Sequence, residues 1–159
     1  SSLIGRVRNL SLNLRPPALD DLGLVPAIRW HLLHRAEKMG IKAHFKAEPE
    51  EIDVSGEIKT ACFRVAQEAL TNVLKHSKPQ SVEVQVMKRG ANLELTVRDD
   101  GTGFDVDSAF RRAAAGESFG LLGMQERVRL AGGTLVIRSE QGRGSEVQAT
   151  FPDAFVPSL

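Results

Sequence analysis

The chain has 159 residues, enough for one domain with a proper core and too few for two. The residues AVILMFWYC make up 42% and charged residues 26%, a balance that excludes disordered and collagen-like chains. A net charge of +1 gives no electrostatic ground for binding nucleic acid directly, and Cys62, the single cysteine, excludes an internal disulfide and a Cys-based zinc site. A reducing, cytoplasmic setting fits this composition. No apolar run approaches the ~20 residues that a membrane helix requires. The Ser1-Ser2 start reads as that of an excised fragment, leaving room for a membrane anchor upstream in the intact protein.

In chain order, Leu3, Val7, Leu10 and Leu14 recur at spacings of three or four, the pattern of the end of an amphipathic helix. Arg15-Pro16-Pro17 stops it, because proline lacks an amide donor and restrains the residue before it. Asp20 or Asp21 is placed to cap a second helix running to about Lys38, and Gly40 to end it. Trp30, on that helix, is expected to anchor packing. Alternation at Ile41, Ala43 and Phe45 predicts a strand to about Ala47. From Ile58 to about His76 the apolar residues, among them Ala61, Cys62, Val65, Ala69 and Val73, follow helical spacing more closely than anywhere else in the chain.

Val82, Val84 and Val86, then Leu93, Leu95 and Val97, alternate with polar residues on either side of Arg89-Gly90-Ala91-Asn92, which predicts an antiparallel hairpin. Asp99 to Phe119 carries three glycines and few large apolar residues, and reads as a long loop. A helix from Met124 to Ala131 and two closing strands, Thr134 to Ser139 and Ser145 to Phe151, complete the chain. Strands grouped beside segregated helices indicate an α+β two-layer sandwich, not a doubly wound parallel sheet.

Three segments carry candidate chemistry. Glu68, Asn72 and His76 lie four residues apart, so they share one polar stripe of the strongest helix, with Lys75 beside it. The Asn72 amide oxygen suits a hard cation such as Mg²⁺, and the Glu68 carboxylate suits polarising a water or orienting a proton donor; the alternative is a solvated helix face. Asp99-Asp100-Gly101-Thr102-Gly103-Phe104 ends a strand with two acids and two glycines, which fits either an acidic turn or a carboxylate that accepts from the amine of adenine, with Gly103 leaving room for the base. Gly120-Leu121-Leu122-Gly123-Met124 precedes a helix, so its free amides form a natural phosphate site, or simply start the helix.

The fixed order of these segments resembles the histidine kinases. Val65 to His76 looks like their N box, Asp99 to Phe104 their first glycine box, and Gly120 to Val128 their second. The wording Glu68-Ala69-Leu70-Thr71-Asn72 with Lys75-His76, and the string Leu12 to Leu24 containing Arg15-Pro16-Pro17-Ala18-Leu19, is similar to the nitrate-sensor and desaturase-sensor subfamily. The resemblance runs from about Leu10 to Pro152. It implies the ATP-binding sandwich shared with gyrase, MutL and the ninety-kilodalton heat-shock chaperones: a mixed, mostly antiparallel sheet of about five strands covered on one face by about three helices, after a short N-terminal helical segment. Residues 1–20 would be the tail of a dimerisation hairpin and linker, and 21–159 the catalytic domain.

By the same resemblance the cofactors are ATP and Mg²⁺. Asn72 would ligate the metal, Glu68 would assist phosphoryl transfer, and Lys75 and His76 would lie near the phosphates. Asp99 would hold the adenine amine in a pocket shaped by Gly101 and Gly103. Gly120, Leu121, Gly123 and Met124 would bound the triphosphate, and Asp105 to Phe119 would form the lid, with Phe110 and Phe119 in place of the longer lids' aromatic residues. The implied partners are the protein's own dimerisation helices, in a homodimer, and a response regulator. The acceptor histidine would precede Ser1, since His31, His34 and His44 lack the following acid that marks it. Rival readings are another ATPase of this fold, a serine-directed anti-sigma kinase, or a non-catalytic binding module.

Overall fold

The computed structural model describes residues 17–116 and 120–155. Five helices are present there: α1 (Pro17–Leu22), α2 (Leu24–Met39), α3 (Gly56–Asn72), α4 (Val106–Ala114) and α5 (Leu121–Leu130). The strands are β1 (Lys42–Glu48), β2 (Ser81–Arg89), β3 (Asn92–Asp99), β4 (Thr134–Ser139) and β5 (Ser145–Phe151). A π-helical turn, Val73–Ser77, extends α3. The expected helix from Leu3 to Leu14 and the lid residue Phe119 lie outside the described residues.

One mixed sheet has the order β1-β2-β3-β5-β4, with β1 parallel to β2 and every other pair antiparallel. Parallel neighbours need a crossover, and α3 provides it. Alternation then sorts the side chains. Val82, Val84, Val86, Leu93, Leu95, Val97, Val147, Ala149 and Phe151 are buried, while Glu83, Gln85, Glu94, Glu146 and Gln148 take the opposite face. Helix α2 packs against β1 and α3, α3 against β3 and β5, and α5 against α3 and β4. This is the α+β sandwich expected, with three long helices on the sheet and two short ones added.

Helix α3 begins where the Ser55 hydroxyl accepts from the Ile58 amide at 3.3 Å, and it buries Ala61, Cys62, Val65, Ala66, Ala69 and Leu70. Each large aliphatic buried in this way stabilises the fold by about 1.5–3 kcal/mol. Burial pushes the Cys62 thiol up to about 12, so the residue behaves as inert core. Helix α2 ends at Gly40, whose φ of 68° lets its amide reach the Ala36 and Glu37 carbonyls.

Three local expectations need correction. Asp20 and Asp21 lie inside α1, and α2 starts after Gly23 with no side-chain cap, because the glycine's φ of 88° breaks the helix two residues further on. The segment read as a long loop contains α4, whose Asp105 side chain accepts from the Ser108 amide at 3.0 Å and whose Ala109, Ala113 and Ala114 favour helix. Trp30 is 59% exposed and stacks on His34 with ring centroids 4.7 Å apart. The buried face of α2 is set by Ala27, Ile28, Leu32 and Ala36, and Trp30 projects from the far side.

His31 faces the core, its ring edge-on to Phe63 at 5.9 Å, and among the described residues its Nε2 has no hydrogen-bond partner. Burial, then the nearby Arg35 and His34, lowers its pKa from 6.5 to about 4. Between those two values the unfolded chain binds a proton that the folded chain refuses, so His31 makes stability fall as pH drops from 6.5 towards 4. Urea unfolding of His31→Leu across that window is expected to show a shallower pH dependence than the parent, by up to one proton.

Candidate functional site

Along α3 the polar stripe keeps its order. Glu68 and Asn72 are half-buried, and Lys75 and His76 stand exposed on the π turn. Burial lifts the Glu68 carboxyl above its ordinary range, with Lys75 and Arg127 partly opposing the shift. The His76 imidazole is held below its ordinary value by burial and by the Lys75 and Arg112 cations, which favours its neutral form. Arg112 belongs to α4 and Arg127 to α5, so both helices bring positive charge to this stripe.

At the end of β3 the two acids divide. Asp100 is exposed and accepts from the Gln80 and Ser81 amides, both at 2.9 Å, and from the Ser81 hydroxyl at 3.0 Å. Those bonds fasten β3 to the start of β2 and hold the Asp100 carboxyl below its ordinary range. Asp99 is only 6% exposed. Its Oδ1 accepts from the Ser77 hydroxyl at 2.5 Å and the Gly101 amide at 2.8 Å, and its Oδ2 accepts from the Ser145 hydroxyl. Ser77, one residue past the expected stripe, is a partner of Asp99 that the sequence reading missed, as is Ser145; for Ser77 the signal available was a small hydroxyl residue directly after Lys75-His76.

Gly103, with φ 68°, sits where an added Cβ would run into the Glu140 and Gly144 carbonyls, so a side chain is excluded both by conformation and by space. Gly120 caps α5 in the left-handed region, with the Glu68 carboxylate directly beside it. Leu121 and Met124 point into the core, at 1% and 2% exposure, leaving only their backbones for a ligand, while Gly123 is exposed in the first turn.

The helix therefore meets both glycine segments, Gly120 through Glu68 and the Asp99 loop through Ser77. The two contacts are nine residues apart, roughly 13 Å along the axis at 1.5 Å per residue. Asn72 lies between them. A cavity of about 170 Å³ lies at one end, lined by Arg64, Gln67, Glu68, Gly120, Gly123 and Arg127 among others. Another, of about 320 Å³, is lined by Asp99, Gly144 and Ser145 together with Arg98, Arg138, Arg143 and Glu146 from the open side of the sheet. His31 and His34 lie on α2, whereas His44, on β1, lines a further hollow of about 180 Å³ with Ser81, Asp99 and Asp100.

A two-layer sandwich with this stripe and these loops defines a domain of the ATPase type. The chain belongs to the histidine kinase-, DNA gyrase B- and HSP90-like ATPase family, whose model matches residues 57–154. It is 41% identical over 141 residues to the signal transduction histidine-protein kinase/phosphatase DegS of Bacillus subtilis, covering 87% of this chain and 36% of DegS. It is 38% identical over 152 residues to the oxygen sensor histidine kinase NreB of Staphylococcus carnosus, covering 96% of this chain and 43% of NreB. The chain thus spans less than half the length of these curated relatives. Among solved structures, the catalytic domain of the histidine kinase ThkA superposes with a TM-score of 0.67 at 13% identity, over 82% of this chain and 90% of that domain, which shows the shared fold.

The environments of two glycines generate a comparison. Gly142 has a φ of 85° but open space around its Cα, whereas Gly103 combines positive φ with rigid carbonyl neighbours. Gly142→Ala is expected to cost about 1 kcal/mol and Gly103→Ala about 3 kcal/mol or more, measured by urea unfolding.

Proposed function

We propose that this chain binds Mg·ATP as the catalytic domain of a sensor histidine kinase and presents the γ-phosphoryl group to a histidine on a dimerisation helix, from which an aspartate of a response regulator takes it. The observation that carries this reading is the double contact of α3, with Gly120 beside Glu68 and Asp99 bonded to Ser77. In this reading Asp99 accepts from the adenine amine, and Gly101 and Gly103 let the base approach. The amides after Gly120, with Lys75 and His76, face the phosphates.

The donor chemistry suits magnesium. Asn72 contributes a neutral oxygen at the end of α3, and among the described residues no cluster of three or more His, Cys, Asp or Glu competes as an all-protein metal site. Bound with ATP, the ion supplies charge neutralisation at the phosphates. The protein's share is positioning: the Asn72 amide fixes one coordination position, the α5 amides orient oxyanions, and Glu68 sits beside the phosphate end to orient the proton of the acceptor histidine. Residues 1–20 act in this reading as the tail of the dimerisation hairpin and linker, residues 21–159 as the catalytic domain, and the intact protein as a cytoplasmically facing homodimer. Leu19 joins the same core as α2 and α3, so α1 is packed with the catalytic domain. No helix among the described residues is long and apolar enough to cross a membrane.

Two measurements test the reading. Isothermal titration should show Asp99→Asn weakening ATP binding by tenfold or more, and an unchanged affinity would refute the adenine assignment. With radiolabelled ATP the chain alone should not label itself, yet it should label a supplied dimerisation hairpin; labelling of His31, His34 or His44 would overturn the assignment of the acceptor to that hairpin.

A further inference from the structure

The Asp99 carboxylate has about four acceptor positions on its two oxygens. Oδ1 receives two donors, the Ser77 hydroxyl at 2.5 Å and the Gly101 amide at 2.8 Å. Oδ2 receives the Ser145 hydroxyl. The remaining acceptor position therefore belongs to Oδ2.

Building on the reading of Asp99 as the adenine anchor, we propose that Ser77 is a positioning residue for the nucleobase: it fills Oδ1, leaving Oδ2 as the one place where an exocyclic amine donates. Its own hydroxyl is fixed in direction. The Gly103 amide donates to Ser77 Oγ at 3.3 Å, so the hydroxyl accepts on one side and gives its proton to Asp99 on the other. Ser77 is 1% exposed, its carbonyl accepts from the Thr102 amide at 2.6 Å, and an added Cβ on Gly101 would run into both its carbonyl and its hydroxyl. Space and bonding leave the side chain no second orientation.

Discrimination between bases follows from that fixed direction. Adenine offers a donor at its exocyclic position and guanine a carbonyl acceptor. A hydroxyl free to rotate would supply a proton to the guanine carbonyl and soften the preference. Ser77 is committed to Asp99, so the guanine carbonyl meets an acceptor with no donor to replace it. A buried polar contact left unmade in this way rejects a ligand more effectively than a change in shape.

The test is isothermal titration of ATP and GTP against the full 159-residue chain, Ser77→Ala, the size-conserving Ser77→Cys, and Asp99→Asn, with urea unfolding of each. Ser77→Ala is expected to bind ATP about tenfold more weakly while GTP binding stays level, so the ATP-to-GTP preference falls about tenfold. Ser77→Cys, a weaker donor of similar size, should lower the preference in the same direction. A preference unchanged in whichever Ser77 variant folds overturns the proposal, including the case where both affinities fall together with stability, as a packing role alone would produce. Asp99→Asn separates the two levels of the argument: if it leaves ATP affinity intact the adenine reading itself fails, and if it abolishes binding while the Ser77 variants keep the preference, only the role of Ser77 fails.

Discussion

Asp99 is an acidic side chain that the fold has to bury, and the bonds that satisfy it join three parts of the molecule. A carboxylate taken out of water is tolerated only with hydrogen-bond donors in place of its hydration. Here the donors come from the end of the α3 extension, from the loop after β3 and from the first residue of β5. The two hydroxyls that meet the carboxylate are themselves buried, so the low dielectric that makes an unpaired group costly also strengthens the paired ones. The loop is fixed further by the Thr102 carbonyl, which accepts from the Gly142 amide at 2.5 Å.

At the other end of α3 the ordering principle is charge. Glu68 is half-buried beside the start of α5, and Lys75 and Arg127 offset part of what burial costs its ionised form. Arg64, buried on the same helix, donates to Gln67 at 2.9 Å and lines the cavity that Glu68 also lines. An overall charge of +1 thus coexists with a local concentration of cations drawn from three helices. Such clustering suits a small anionic ligand and gives no broad basic face for a polymer.

Much of this architecture was legible in the residues. The period of α3 runs from Ile58 to Leu70 before the π turn alters it, and β4 and β5 begin where the flanking Gly132-Gly133 and Gly144 place them. Local signals failed where a competing one was stronger. Counting glycines between Asp99 and Phe119 hid the Asp105 cap and the alanines that make α4. Treating Trp30 as core overlooked that the smaller Ala27, Ile28 and Leu32 had already set the buried face. Ser77 was hidden for a different reason: its partner lies 22 residues away, and no pattern within a helix announces a bond to the far end of a hairpin.

The short link from α3 to β2 decides which end of the helix meets Asp99. Because β1 and β2 run the same way, the chain must travel back along the sheet between them, and α3 with its π turn makes that return over about 33 Å, against about 23 Å for the seven residues of β1. The surplus carries Lys75, His76 and Ser77 towards the edge where β2 starts. The hairpin then brings β3 back to the same edge, with Val82 opposite Asp99. Only residues 78–80 separate the π turn from β2, so the helix must end at the border where β2 begins and β3 finishes, and the meeting of helix and acid is inherited from chain connectivity before any side chain is chosen.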